Sequence, residues 1–145
     1  MLIDPVLLTP SQLTHPKINW WTQQDYDTWI MTPVGQKESV SRGKEPYLEE
    51  EDSSSVPDNA ITAIKASMWS CFAELVNRKH APQVWGRLDN SGWELFHMVM
   101  EKSHPIFRFA ENGWKLDKLV WNNYPAWHLF HLDKGLNWKC KDSTT

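Results

Sequence analysis

The chain has 145 residues, 18 acidic and 15 basic, for a net charge of −3. One domain of ordinary size fits that length, and the acidic balance argues against a polybasic nucleic-acid protein, which neutralises phosphate with a basic excess. No apolar run approaches the ~20 residues of a membrane span, and the start, MLIDPVLLTP, lacks the basic region and long apolar run of a secretory signal.

Ten Trp against three Tyr and five Phe is the abnormal count. Cys71 and Cys140 belong to no CxxC pair, so free thiols in a reducing, intracellular setting are expected. Charge divides unevenly: residues 1–57 hold four basic and nine acidic residues, net −5, and residues 58–145 are net +2. Such asymmetry separates a tail from a folded part.

Within 1–57, Ile18–Met31 carries Trp20, Trp21, Tyr26 and Trp29. Such an apolar payload predicts either an arm docked on the main domain or a short motif that binds a partner. Residues 33–57 read as a mobile linker, with Gly35, Gly43, Pro46, the run Glu49–Asp52 and Ser53–Ser55. So few apolar residues do not offset the entropy of ordering.

From Asp58 the period becomes helical. Ile61, Ile64, Met68, Cys71, Phe72 and Leu75 recur at threes and fours and predict a helix over 58–79, with Asp58 as N-cap and Pro82 as stop. Asp89-Asn90-Ser91 offers caps for a second helix to about Ser103, with Trp93, Phe96, Val99 and Met100 inward. A third helix is expected over 112–122, with Trp121 inward. Asn123 and Pro125 would then open a fourth that ends near Gly135.

Trp85, Trp93, Trp114, Trp121 and Trp127 are unevenly spaced, unlike the regular Trp of Myb and SANT-type DNA-binding repeats, so that likeness is architectural only. The run Ala81-Pro82, Trp85-Gly86, Phe96, Met100, Pro105, Trp114-Lys115 and Tyr124-Pro125-Ala126-Trp127 resembles a pattern in short, multi-copy, uncharacterised proteins of mushroom-forming (basidiomycete) fungi, some near mobile elements. The resemblance covers about 60–130 and implies a compact helical module with no established activity. Members often carry a Cys before the Trp-Lys pair, and 109–113 contains none.

Chemistry-bearing motifs are sparse. The Gly43-Lys44 pair has no Gly five residues before it, and no Gly-x-Gly-x-x-Gly or Gly-x-Ser-x-Gly occurs. His128 and His131 with Cys140 would give zinc three ligands at a spacing that matches no finger, so no metal is expected. Lys115, Lys118 and Asn122 fall at threes and fours, a stripe that could meet phosphate and bases, with Arg87 beside it.

Together these features predict an all-α fold: a small bundle of three to four helices over 58–138, an acidic, partly disordered arm over 1–57, and a polar tail over 139–145. The expected function is a non-catalytic intracellular protein-interaction module, with Trp20, Trp21 and Trp29 against an unidentified protein partner. The alternative is a helical DNA-binding module on duplex DNA through Lys115, Lys118, Asn122 and Arg87, and a small enzyme ranks third. No cofactor, metal or membrane is expected.

Overall fold

The computed structural model describes residues 13–139. Among them, five α-helices carry the fold: α1 (Gln23–Ile30), α2 (Pro33–Arg42), α3 (Asp58–Asn77), α4 (Asn90–Ser103) and α5 (Trp114–His131). Among the described residues no strand forms, only two isolated antiparallel bridges, Glu49 with Ser55 and Leu132 with Trp138. The described residues are therefore all-α, with five α-helices, three of them within 58–138.

The apolar spacing of α3 does what its period dictates: Ile64, Met68, Phe72, Leu75 and Val76 are buried, and Ile61 and Cys71 sit half-buried at its edges. Asp58 is not the cap. Pro57 holds that position without a side-chain hydrogen bond, and Asp58 lies in the first turn, where its charge still suits the helix dipole. The helix stops two residues early, because Lys79 turns left-handed at φ 62° and the His80 amide donates back to the Leu75 carbonyl at 2.8 Å. In α4 the expected cap is present: the Asp89 carboxylate accepts from the Gly92 amide at 2.7 Å.

The expected third and fourth helices are one. α5 runs unbroken through Pro125. Proline removes the N–H that would bond the carbonyl four residues back, here that of Trp121. Both residues lie on the exposed side of the helix, where water can meet that carbonyl. Asn123 caps nothing: its amide donates to the Leu119 carbonyl at 2.6 Å.

The stretch 33–57 departs most from expectation. Thr32 caps α2 by accepting from the Gly35 amide, Pro33 fits the first turn, and Gly43 at φ 92° ends the helix. Gly35 also lets α2 meet α1, since a Cβ there would stand 1.9 Å from the Trp29 carbonyl oxygen. Beyond α2, Tyr47, Leu48 and Glu49 are all buried. Trp20, Tyr26, Tyr47, Leu48 and Val56 thus belong to the same core as the bundle; the first twelve residues and the expected polar tail 139–145, apart from Lys139, lie outside the described residues.

Two aromatic clusters fill that core. Around Phe72, the rings of Trp85, Phe96, Tyr124 and Trp127 lie at 5.0–5.9 Å, and the Tyr124 hydroxyl donates to the Pro82 carbonyl at 2.6 Å. Around Tyr26, the rings of Trp20, Trp29, Tyr47 and Trp114 lie at 5.5–6.0 Å. The first cluster is internal to the bundle. The second joins the arm to α5.

Candidate functional site

α5 has two faces of opposite use. Leu116, Leu119, Val120, Tyr124 and Trp127 point into the core. On the outer side Trp121, Pro125 and Leu129 follow at i, i+4, with Asn122, Ala126 and Phe130 beside them. This outer face carries no charge, and Leu129 and Phe130 are 74% and 78% exposed. Trp121, expected in the core, is 54% exposed. Leu116, Leu119, Val120, Tyr124 and Trp127 occupy the inner side, and the 3.6-residue turn of the helix then carries Trp121 to the outer side. Trp93, also expected inward, lies at the surface of α4, stacked on His97 at 4.0 Å.

An apolar groove of about 600 Å³ runs between α3 and α5, walled by Trp69, Ala73, Ala126, Phe130 and Trp138. Trp138 is pinned there, its indole N–H donating to Asn77 Oδ1 at 2.9 Å. The next residue, Lys139, donates from Nζ to the Leu129 carbonyl at 2.7 Å. On the other side of Trp121 and Asn122 lies a polar cleft of about 750 Å³ between the start of α1, the turn Glu111–Gly113 and α5.

Behind that cleft sits a buried His97. Its Nε2 is 2.8 Å from Asp117 Oδ1 and its Nδ1 is 2.9 Å from Glu101 Oε2. Trp93 donates from its indole N–H to the same Asp117 oxygen at 3.2 Å. Burial opposes charge on the ring, but the hydrogen bonds to Asp117 and Glu101 outweigh it and raise the His97 pKa above the ordinary value. Gly113 permits the arrangement: it is left-handed at φ 67°, and a Cβ would stand 2.6 Å from the His97 ring. With both nitrogens held by carboxylates, the ring has no lone pair to offer a substrate. It clamps α4 to α5.

The predicted DNA stripe does not assemble. Lys115 is wholly buried on the side of α5 shared with Leu119, its Nζ 3.0 Å from Glu49 Oε1, so it reaches no phosphate. Burial lowers its pKa, against the pull of Glu49. Lys118 is half-buried with its ammonium 5.8 and 5.7 Å above the rings of Tyr26 and Tyr47. Asn122 and Arg87 remain exposed.

The three Trp expected to meet a partner are spent on the fold instead. Trp20 is buried, and Trp29 packs on it at 4.5 Å. Trp21 is half-buried, and its carbonyl accepts from the Glu111 amide at 2.8 Å and the Trp114 indole at 2.9 Å. His131 is exposed beside Trp127, His128 is half-buried, and Cys140 lies outside the described residues. Among the described residues no group of three or more His, Cys, Asp or Glu gathers to hold a metal, and no helix is long and apolar enough to cross a membrane.

Glu49, His97 and Asp117 escaped sequence reasoning. His97 and Glu101 stand at i, i+4, a helix-pair signal that was open to view. Asp117 lies twenty residues further on, and nothing local ties it to them. Comparison with known families, characterised proteins and solved structures finds no match to this chain.

Proposed function

We propose that the chain is a non-catalytic, intracellular protein-interaction module, and that it docks an amphipathic helical segment of a partner in the groove between α3 and α5. The exposed, uncharged outer turn of α5 carries this reading: Leu129 and Phe130 stand in solvent beside Trp138. Clustered exposed apolar and aromatic side chains are the usual anchors of interfaces. The partner's apolar residues at i, i+3, i+4 and i+7 would fill the groove.

Charge complementarity defines its flanks. Lys139 stands at Leu129, and Lys79, exposed, follows two residues after the Asn77 that pins Trp138. A segment with acidic flanks suits that end and steers its own approach. Selection from a displayed library of helical peptides tests this. The expected binders carry apolar helical anchors with Asp or Glu beside them, and Phe130→Asp weakens them by about tenfold or more. Binders that ignore Phe130→Asp overturn the proposal.

A further inference from the structure

The polar cleft on the far side of Trp121 supports a second site, and we propose that it binds a short neutral saccharide. Four uncharged amides face it: Gln23 and Gln24 from α1, Asn112 from the turn before α5, and Asn122 from α5 itself. Each amide offers two N–H donors and a carbonyl acceptor, and each sugar hydroxyl is both donor and acceptor, so the two inventories match. The side chains of Gln23, Gln24 and Asn112 make no hydrogen bond within the protein among the described residues.

Trp121 supplies the apolar wall. Its ring is half out in solvent yet held in place by Gly86, where a Cβ would stand 3.3 Å from it. The C–H face of a pyranose lies flat on such an indole while its hydroxyls reach the amides at the edge. Asn122 links the cleft to the core: the buried Tyr47 hydroxyl beneath has no hydrogen-bond partner of good geometry, and Asn122 is the side chain that faces it.

Charge narrows the ligand class. Glu111 and Asp117 line the cleft, and its one cation among the described residues, Lys118, sits over the rings of Tyr26 and Tyr47. A phosphate, sulfate or carboxylate would meet two carboxylates and a lysine already engaged by those rings. A nucleobase gains most from aromatic stacking combined with basic contacts along its backbone. Here a single exposed ring stands among amides, which suits a sugar. The His97 clamp and Gly113 fix Asp117 and Asn112 before any ligand arrives, which lowers the cost of binding.

The test is titration of the full chain with maltotriose, cellotriose, laminaritriose and N-acetylchitotriose, read by Trp fluorescence and by side-chain amide signals of the isotope-labelled protein. At least one trisaccharide is expected to bind with Kd of about 0.1–10 mM, the weak end of the affinity scale. It should shift the amide signals of Gln23, Gln24 and Asn122 and the Trp121 indole signal.

Trp121→Ala should weaken binding by about tenfold, and Gln24→Ala by several-fold. Phe130→Asp, in the other groove, should leave it unchanged, so loss of peptide docking and loss of sugar binding are separate results. The same trisaccharide tethered through its reducing end still binds if the natural ligand is a glycan terminus and fails if it is a free sugar; either supports a saccharide site. The proposal is overturned if no trisaccharide shifts these signals at about 10 mM, if affinity survives both variants, or if AMP or a sulfated disaccharide binds more tightly than every neutral trisaccharide.

Discussion

The bundle around Phe72 and the arm around Tyr47 are held by different physics. In the bundle, helix periodicity brings Phe72, Phe96, Tyr124 and Trp127 together, and burial of apolar surface is the driving force. In the arm, α2 buries only Gly35, while the irregular stretch Tyr47–Glu49 is fully buried. A carboxylate holds that stretch in place: Glu49 accepts from the amides of Asn19 and Trp20 at 2.8 and 2.9 Å and from Lys115 at 3.0 Å. Arg42 adds hydrogen bonds to the carbonyls of Pro46, Leu48 and Ser53. The contrast teaches that a polar, acid-rich stretch can be core when a distant residue supplies its counter-charge.

Breaking the clamp should have the largest effect. Lys115→Ala leaves Glu49 buried without its cation and is expected to cost about 3–5 kcal/mol. The pair Lys115→Met with Glu49→Gln should cost much less than Lys115→Ala, because no charge is then buried and the introduced side-chain amide keeps an acceptor for the arm's N–H groups. Urea unfolding of both variants checks this; equal costs would show that a buried unpaired charge is not the source of the loss. If the arm is clamped as described, the bundle should not outlive it, and a single transition is expected in wild type.

Gly113→Ala tests the join between α4 and α5. Its Cβ would overlap the His97 ring at a left-handed φ, and a loss of about 2–3 kcal/mol is expected from strain and overpacking. Thermal unfolding measures it; a loss below about 1–2 kcal/mol, the cost of a left-handed backbone alone, would mean that His97 gives way.

A pH dependence sharpens the same point. The folded-state pKa of His97 is raised, so the folded state holds its proton more tightly than the unfolded one. Its contribution is fully present below the unfolded value of about 6.5 and is lost as pH rises through the folded pKa. Stability measured between pH 6 and 9, about the range where His titrates, should therefore fall with rising pH, and His97→Gln should remove that part of the slope. An unchanged slope in His97→Gln would rule out His97 as its source.

The smallest effect is expected at Trp121. As a core residue it would cost about 3–5 kcal/mol on truncation to Ala, whereas at its observed exposure the change should stay within about 1 kcal/mol. Trp85→Ala, inside the Phe72 cluster, is the matched control and should show the core value. A large loss at Trp121 would return it to the core and remove the wall of the proposed saccharide cleft.

What the sequence determined by itself was local. The period of α3, the Asp89 cap of α4 and the all-helical class follow from spacing and capping within one turn or two, where interactions are set by i, i+3 and i+4 neighbours. Even the dense Trp of 18–31 announced an apolar anchor, although not that Trp20 would be spent on the core. Tertiary structure alone decided whatever depends on partners far apart in the chain. Lys115 looked like a surface cation because its counter-ion lies 66 residues away. Residues 47–49 looked like linker because composition counts residues and not their partners. Trp121 looked like core because a large ring beside Leu119 and Val120 reads as part of the apolar face, yet Leu116, Leu119, Val120, Tyr124 and Trp127 already fill the inner side of α5. With that side taken, the turn of the helix leaves Trp121 on the outer side, at the surface.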